Sequence, residues 1–148
     1  MTEDPQALAE RCVRTMLAGD RFTAWMGMEV LEIAPRRSVV AMTVTAEMVN
    51  GFGVCHGGVT FSLADSALAF ASNTHGRVTV SIENGIRYPR PARVGDRLTA
   101  TAEAEQVGGR IGFYRVTVTN QAGEPVGFFR GTVYSTERSL VDGQRSEG

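Results

Sequence analysis

Residues 50–73 have the sequence NGFGVCHGGVTFSLADSALAFASN, and this stretch decides how the rest of the chain is interpreted. Its first part contains four glycines, which break regular structure and permit close backbone approach: Gly51, Gly53, Gly57 and Gly58. From Val59 to Asn73, small and apolar side chains surround the helix axis instead of forming one stripe. The pattern predicts a glycine-rich loop followed by a helix that is buried on most sides.

Asp65 is the only ionisable side chain between His56 and His75. Ionised carboxylates are rarely buried without a partner, so one interpretation is that Asp65 lies on an exposed edge or pairs with an arginine. The apolar helix around it favours a second interpretation, a carboxylate at the mouth of a dry cavity. There, desolvation raises the pKa of an aspartate and makes the ionised form more basic. This is the environment of a catalytic base.

The tripeptide His56-Gly57-Gly58 opens the predicted helix. Backbone N–H groups in the first turn of a helix have no intrahelical partner and point outward, with the positive end of the helix dipole. Glycine leaves room for a substrate carbonyl, so such an amide can donate to an oxygen that gains negative charge. The same glycines are also explained by a tight loop-to-helix junction alone.

The remaining segments predict an α+β domain. An amphipathic N-terminal helix is expected at about 4–18, and a hairpin over Glu29–Thr45. Four consecutive strand-like runs follow the buried helix: Val78–Tyr88, Arg97–Val107, Ile111–Thr119 and Pro125–Ser135. The polar end, about 138–148, is expected to be a disordered tail. Residues 1–148 therefore form one domain, an antiparallel sheet wrapped around a helix.

Composition narrows the range of functions. With 148 residues and 43% hydrophobic content, the chain can bury one substantial core. Its net charge of -1, from 15 basic and 16 acidic residues, gives no bulk attraction for nucleic acid or an anionic membrane. Residues 1–20 lack the apolar core of a signal peptide, so the cytoplasm is the expected compartment. The chain has only two cysteines, and its two histidines lie at opposite ends of one predicted helix, so we expect no metal site.

Several short motifs occur in order along the chain: Asn50-Gly51-Phe52-Gly53-Val54-Cys55-His56-Gly57-Gly58, Phe61, Leu63-Ala64-Asp65, Ala71-Ser72-Asn73, Arg90-Pro91, Gly95-Asp96-Arg97-Leu98-Thr99-Ala100 and Phe128-Phe129-Arg130-Gly131-Thr132. In this combination they resemble the hotdog-fold acyl-CoA thioesterases of the phenylacetate-degradation (PaaI) type, over most of the chain. The resemblance implies a central helix inside a curved antiparallel sheet. It also implies active sites shared by two subunits of a homodimer, and dimers that pair into a homotetramer.

By this resemblance, Asp65 is the nucleophile or the general base for thioester hydrolysis. The Gly57 N–H would polarise the thioester carbonyl from the facing subunit, while His56 and Asn50 would orient the thioester or the attacking water. The chemistry agrees, because thioester hydrolysis needs an activated oxygen nucleophile and stabilisation of a transient oxyanion. No cofactor is expected, since coenzyme A is part of the substrate.

Four further residues are expected to contact the substrate: Gly58, Ser66, Arg90 and Arg110. The two arginines are candidates for the CoA phosphates, because guanidinium groups bind phosphate bidentately. Solvated arginines at turns explain them equally well. The segments Glu83-Asn84-Gly85 and Tyr88-Pro89-Arg90-Pro91 depart from the family pattern, and we expect them to reshape the acyl or pantetheine contact.

The expected activity is hydrolysis of an acyl-CoA, with an aromatic (phenylacetyl-like) or medium-chain acyl group, to a free acid and CoA. One alternative is a non-catalytic acyl-CoA binding module that uses the same cleft. Another is a hotdog hydratase or dehydratase, in which the catalytic carboxylate precedes the histidine, whereas His56 precedes Asp65 here. A nucleophilic pair of Cys55 and His56 is disfavoured, because adjacent side chains in an extended loop diverge.

Overall fold

The computed structural model describes residues 3–141, and its regular elements follow one another with short connections. The helices and strands are α1 (Pro5–Gly19), α2 (Arg21–Trp25), β1 (Glu29–Ala34), β2 (Arg37–Thr43), a 3-10 helix (Ala46–Met48), α3 (Gly57–Ser72), β3 (Arg77–Arg87), β4 (Arg97–Val107), β5 (Ile111–Thr119) and β6 (Pro125–Ser139).

The six strands form one antiparallel sheet in the order β1-β2-β4-β5-β6-β3, and α3 packs against all of them. The predicted α+β class and the wrapped helix are confirmed. The four strands expected after the buried helix are all present, but β3 pairs with β6 and not with β4, the next strand along the chain. Strands β4, β5 and β6 join through short turns, which leaves the far side of β6 for β3. Strand β3 is therefore an edge of the sheet.

Helix α3 is fixed at both ends by side chains. The Gly58 N–H donates to Nδ1 of His56, which caps the start, at 2.9 Å. At the other end, Asn73 Nδ2 donates at 2.8 Å to the carbonyl of Ala69, which also accepts from the Asn73 backbone N–H. The Asn73 amide also exchanges hydrogen bonds with the backbone of Thr79, at 2.8 and 3.0 Å. The start of β3 is thereby tied to the end of α3.

Strand β3 contains a bulge between Ser81 and Glu83. Before the bulge, the odd-numbered residues Thr79 and Ser81 lie opposite inward-facing residues of β6. After the bulge, the even-numbered residues Asn84 and Ile86 do so. Side chains alternate along a strand, so the one extra residue moves every later side chain to the opposite face of the sheet. The bulge therefore turns Asn84 towards α3.

The ends of the chain differ little from expectation. The N-terminal helix begins one residue later and ends one residue later than predicted, with Asp4 capping the Ala7 N–H at 3.1 Å. Strand β6 extends to Ser139, because Ser139 pairs with Arg77 of β3. The rest of the expected tail, 142–148, lies outside the described residues. Within residues 3–141, no helix combines the length and apolar character needed to cross a bilayer.

The core under the sheet is the main source of stability, and Leu63 of α3 is fully buried in it. Leu63→Ala removes packed methyl groups and leaves a cavity, so we expect a loss of about 2–5 kcal/mol in the free energy of unfolding. Leu31→Ala, at a side chain that is 52% exposed, is the matched control and is expected to change stability by less than about 1 kcal/mol. Denaturant unfolding at equal protomer concentration measures both. Equal losses would contradict the position of the core.

Candidate active site

Hydrogen bonds to Asn50 fix the conformation of the glycine-rich loop before α3 begins. Asn50 Oδ1 accepts hydrogen bonds from the backbone N–H groups of Phe52 (2.9 Å) and Val54 (3.3 Å). An isolated bridge joins Val49 to Cys55. Asn50 therefore uses its amide oxygen to shape the loop. Among residues 3–141 its Nδ2 group meets no acceptor, which leaves it available as a donor.

The two glycines at the start of α3 have different roles. The Gly58 N–H is already bonded to His56 Nδ1, and the expected contact of Gly58 with the substrate stays a prediction. A Cβ at position 58 would lie 3.0 Å from that nitrogen, which explains why glycine stands there. Because Nδ1 accepts, the neutral ring carries its hydrogen on Nε2, on an exposed face. In the described part of the chain, the Gly57 N–H has no acceptor.

Tyr88 holds the carbonyl side of the same turn, and the sequence did not single it out as a site residue. Its hydroxyl donates to the Gly57 carbonyl at 2.7 Å. A Cβ at position 57 would lie 3.0 Å from both Cζ and the hydroxyl oxygen of Tyr88. The tyrosine therefore packs against the bare Cα and holds the Gly57–Gly58 peptide in place. The Gly57 N–H belongs to the preceding peptide, at the very start of α3, where helix N–H groups have no intrahelical acceptor.

Asp65 lies two turns further along α3, half-buried, with Ser66 beside it. Its Oδ1 accepts a hydrogen bond from Asn84 Nδ2 of β3 at 3.0 Å. Burial raises the pKa of the Asp65 carboxyl above its ordinary value, and the bond from Asn84 partly offsets this rise. The prediction of a partly desolvated carboxylate is consistent with this geometry. Asn84 lies in a segment that was expected to shape the substrate contact, but its bond to Asp65 was not predicted from the sequence.

Asp65 and Gly57 cannot act on one carbonyl within a single chain. They are eight residues apart on one helix, which places their Cα atoms about 12 Å apart. A thioester carbonyl contacts a nucleophile and an oxyanion donor at about 3 Å from each. The structure therefore brings together Asn50, His56 and Gly57 at one end of α3, and keeps Asp65 and Ser66 apart from them.

The two candidate arginines lie at opposite ends of the sheet. Arg90 lines a cleft of about 370 Å³ together with Gly57 and Tyr88, and it forms an ion pair with Glu124. Arg110 lies in the turn before β5 and pairs with Glu137 at 2.5 Å. In this chain Arg90 is close to the glycine turn and Arg110 is not.

A second cleft, of about 720 Å³, begins on the other side of His56. Its apolar wall includes Met26, Met48 and Val59, and Trp25 stands at its edge with 78% of its surface exposed. Met26 is itself buried in the core. The exposed indole and the wall together offer an apolar surface next to the glycine turn.

Cys55 is the other nucleophilic group near the turn. Its side chain is buried, and burial raises the pKa of the thiol above its ordinary value. A thiol of this kind is a poor nucleophile, because the thiolate is the reactive form. Asp65 is the better candidate for chemistry.

Comparison with known proteins gives a consistent result. Residues 52–126 match the family model described as the thioesterase superfamily. The acyl-coenzyme A thioesterase PaaI of Escherichia coli K12 is 40% identical over 116 residues, which are 78% of this chain and 83% of that protein.

Solved structures agree with this. The E. coli PaaI protein from the phenylacetic acid degradation operon matches with a TM-score of 0.90 and 35% identity, over 92% of this chain and 99% of that one. A hypothetical thioesterase of Streptococcus pneumoniae TIGR4, crystallised with coenzyme A, matches with a TM-score of 0.72 and 26% identity, over 75% and 90% of the two chains.

The raised pKa of Asp65 has a consequence for stability. The folded state keeps the Asp65 proton to a higher pH than the unfolded state, so ionisation costs stability as pH rises through the folded pKa. Below about pH 4, the ordinary pKa of an aspartate in an unfolded chain, the carboxyl is protonated in both states and this cost is absent. We expect Asp65→Asn to melt at a higher temperature than the parent at pH 7, and the difference to shrink towards pH 4. Glu47→Gln, at an exposed carboxylate, controls for net charge. A parent as stable as the variant at pH 7 would argue against a desolvated carboxyl.

Proposed function

Because this chain belongs to the thioesterase superfamily, we propose that it hydrolyses acyl-CoA thioesters with Asp65 as the catalytic carboxylate and Gly57 as the amide donor. The resemblance inferred from the sequence motifs is confirmed by the E. coli relative, and so is the hotdog fold. One observation supports this choice of residues. Helix α3 carries the half-buried carboxylate of Asp65, and its first N–H group, that of Gly57, has no acceptor within the described residues.

Each step of the hydrolysis has a group in the proposed site. In the general-base route, Asp65 takes a proton from water while the oxygen attacks the thioester carbonyl. The carbonyl oxygen becomes an oxyanion, which the Gly57 N–H stabilises together with the positive end of α3. When the C–S bond breaks, the sulfur receives the proton from Asp65, giving a free acid and CoA. In the nucleophilic route, an Asp65 oxygen attacks the carbonyl, the C–S bond breaks and CoA leaves as a thiolate. Water then hydrolyses the mixed anhydride, which releases the free acid, restores Asp65 and supplies the proton that the CoA sulfur takes up.

A second copy of the chain is proposed to complete each site. The separation of about 12 Å between Asp65 and Gly57 excludes a site within one chain, and β3 is a sheet edge directly above Asp65. Strand edges present unpaired N–H and C=O groups, and this edge also carries the exposed side chains of Val80 and Ile82. Antiparallel pairing of two β3 strands would bring the partner's glycine turn towards Asp65.

The same pairing suggests how CoA and the acyl group are bound. Arg90 lies beside the glycine turn, and antiparallel pairing would bring Arg110 of the second copy towards the same end. We propose that both contact CoA phosphates, which requires their ion pairs with Glu124 and Glu137 to open. The apolar cleft beside His56 is proposed for an aromatic (phenylacetyl-like) or medium-chain acyl group. The operon of the E. coli relative is consistent with an aromatic one.

Higher assembly is also proposed. The sheet face opposite α3 exposes Phe113 (47%) and Phe128 (46%), which offers a second interface for a tetramer. Light scattering distinguishes a dimer from a tetramer. A cytoplasmic location stays a prediction.

The catalytic role of Asp65 is tested by thiol release from a panel of acyl-CoAs. Asp65→Asn keeps the size of the side chain but removes the base, so we expect kcat to fall by about two orders of magnitude or more. Glu10→Gln, at an exposed carboxylate of α1, serves as the control and is expected to retain activity. Equal turnover by the parent and Asp65→Asn would remove Asp65 from the mechanism.

The shared site is tested by complementation between two inactive variants. In Gly57→Val the added side chain meets Tyr88 and blocks the carbonyl position. Mixed dimers of Asp65→Asn and Gly57→Val would contain one site with both functional residues. After unfolding and refolding an equal mixture, random pairing predicts recovery of about a quarter of parental activity. Each variant refolded alone is the control. A mixture as inactive as its components would mean that the two residues do not act across subunits.

A further inference from the structure

We propose that Asn84 is a positioning residue for Asp65: its side-chain N–H fixes one carboxylate oxygen, directs the other towards the substrate and favours the ionised carboxylate. This inference rests on the proposed function, because the role of the carboxylate does. It concerns a residue in the segment where the sequence departs from the family pattern.

The hydrogen-bond geometry supplies the first argument. Asn84 Nδ2 donates to Asp65 Oδ1 at 3.0 Å. Among residues 3–141 this is the one hydrogen bond that the carboxylate receives, and its Oδ2 is left open. A base with one oxygen held and the other open has a defined direction, whereas a free carboxylate would rotate about χ2.

The unpaired oxygen of the same amide supplies the second argument. Asn84 Oδ1 is buried and meets no donor within the described residues. An unpaired buried acceptor costs free energy, and a leucine of nearly the same shape would fill this space without that cost. Reversing the amide would place its oxygen against the Asp65 carboxylate. The N–H contact is therefore what the amide provides at this position.

The backbone around Asn84 is shaped to admit its side chain. Gly131 of β6 lies directly opposite, and a Cβ there would be 2.7 Å from Asn84 Oδ1 and 2.4 Å from Leu68 Cδ2. Position 131 must therefore be glycine for Asn84 and Leu68 to keep their places. The bulge before Glu83 turns Asn84 inward in the first place. Two separate backbone features thus serve one side-chain contact.

Other charges do not explain the state of Asp65. Helix α3 carries no second ionisable side chain, and Tyr114 is the ionisable residue on the inward faces of the strands packed over it. The charged neighbours of Asn84 on β3, Glu83 and Arg87, lie on exposed positions. Burial and the Asn84 bond are the two causes that set the pKa of Asp65, and they act in opposite directions. In the proposed dimer a second copy's His56 would also approach, and it is unchanged in the variants below.

Asn84→Leu removes the donor and keeps the shape. Without the N–H, the ionised carboxylate loses a charge-assisted bond, so the acid limb of the kcat/KM profile should move to higher pH by about one unit, a loss of about tenfold on that limb. The loss should appear in kcat more than in KM, because Asn84 does not contact the substrate. If kcat/KM falls by the same factor at every pH and the acid limb stays at its parental pH, Asn84 has a merely structural role and the inference is overturned.

Asn84→Asp is the sharper variant, because it replaces the donor by a second carboxyl of the same size. Two carboxyls at this distance share a proton, so the acid limb should move further than in Asn84→Leu. Thr15→Asp is the control, because it adds the same charge at an exposed position of α1, away from both clefts. An acid limb that moves equally in Asn84→Asp and Thr15→Asp would count against the proposal.

A readout without turnover separates this inference from the proposed function. Carbon-13 NMR of protein labelled at aspartate side chains, assigned with Asp65→Asn, follows the Asp65 carboxyl directly. We expect it to titrate at higher pH in Asn84→Leu than in the parent, in folded protein. If this shift occurs and no acyl-CoA is hydrolysed, the proposed function fails and the positioning role stands. If hydrolysis occurs and Asp65 titrates identically in both proteins, the positioning role fails alone.

Discussion

Asp65 and the Gly57 amide are held on one helix, and no motion inside that helix can bring them to one carbonyl. Both ends of α3 are fixed by side-chain caps, from His56 and Asn73, so the separation of about 12 Å is rigid. A site that uses both groups must therefore draw them from two copies of α3. The proposed mechanism therefore depends on the proposed oligomer, and the free edge of β3 is the surface best placed to form it.

Strand β3 is where the fold and the site are coupled. It runs back along α3, and three hydrogen-bonded pairs link the strand and its end to the helix and its cap: Thr79 with Asn73, Asn84 with Asp65, and Tyr88, just after the strand, with Gly57. The same strand is the edge proposed for subunit pairing. A change in its register would therefore alter the direction of the carboxylate, the position of the amide donor and the subunit contact together. The one-residue bulge therefore affects the site and the proposed subunit contact as well as the strand itself.

Local patterns in the sequence were enough to locate α3, the hairpin and the later strands, because helical and strand periodicity is set by burial of each element. They were not enough to place β3 beside β6, since strand order depends on contacts between distant residues. Asn84 was missed because alternation along an unbroken strand gives no sign of the bulge that turns it inward. Arg110 looked equivalent to Arg90 as a basic turn residue, and only the register of the sheet separates them.

The proposed catalyst is a compromise between two opposing effects. Burial raises the pKa of Asp65 and strengthens it as a base, but it also disfavours the ionised form, which is the form that accepts a proton. A hydrogen bond from Asn84 favours the ionised form without bringing a positive charge, which would reduce the basicity further. A neutral amide is thus better suited to this position than an arginine or lysine. The unpaired Asn84 oxygen is the cost of that choice, and the fold accommodates it by leaving position 131 without a side chain.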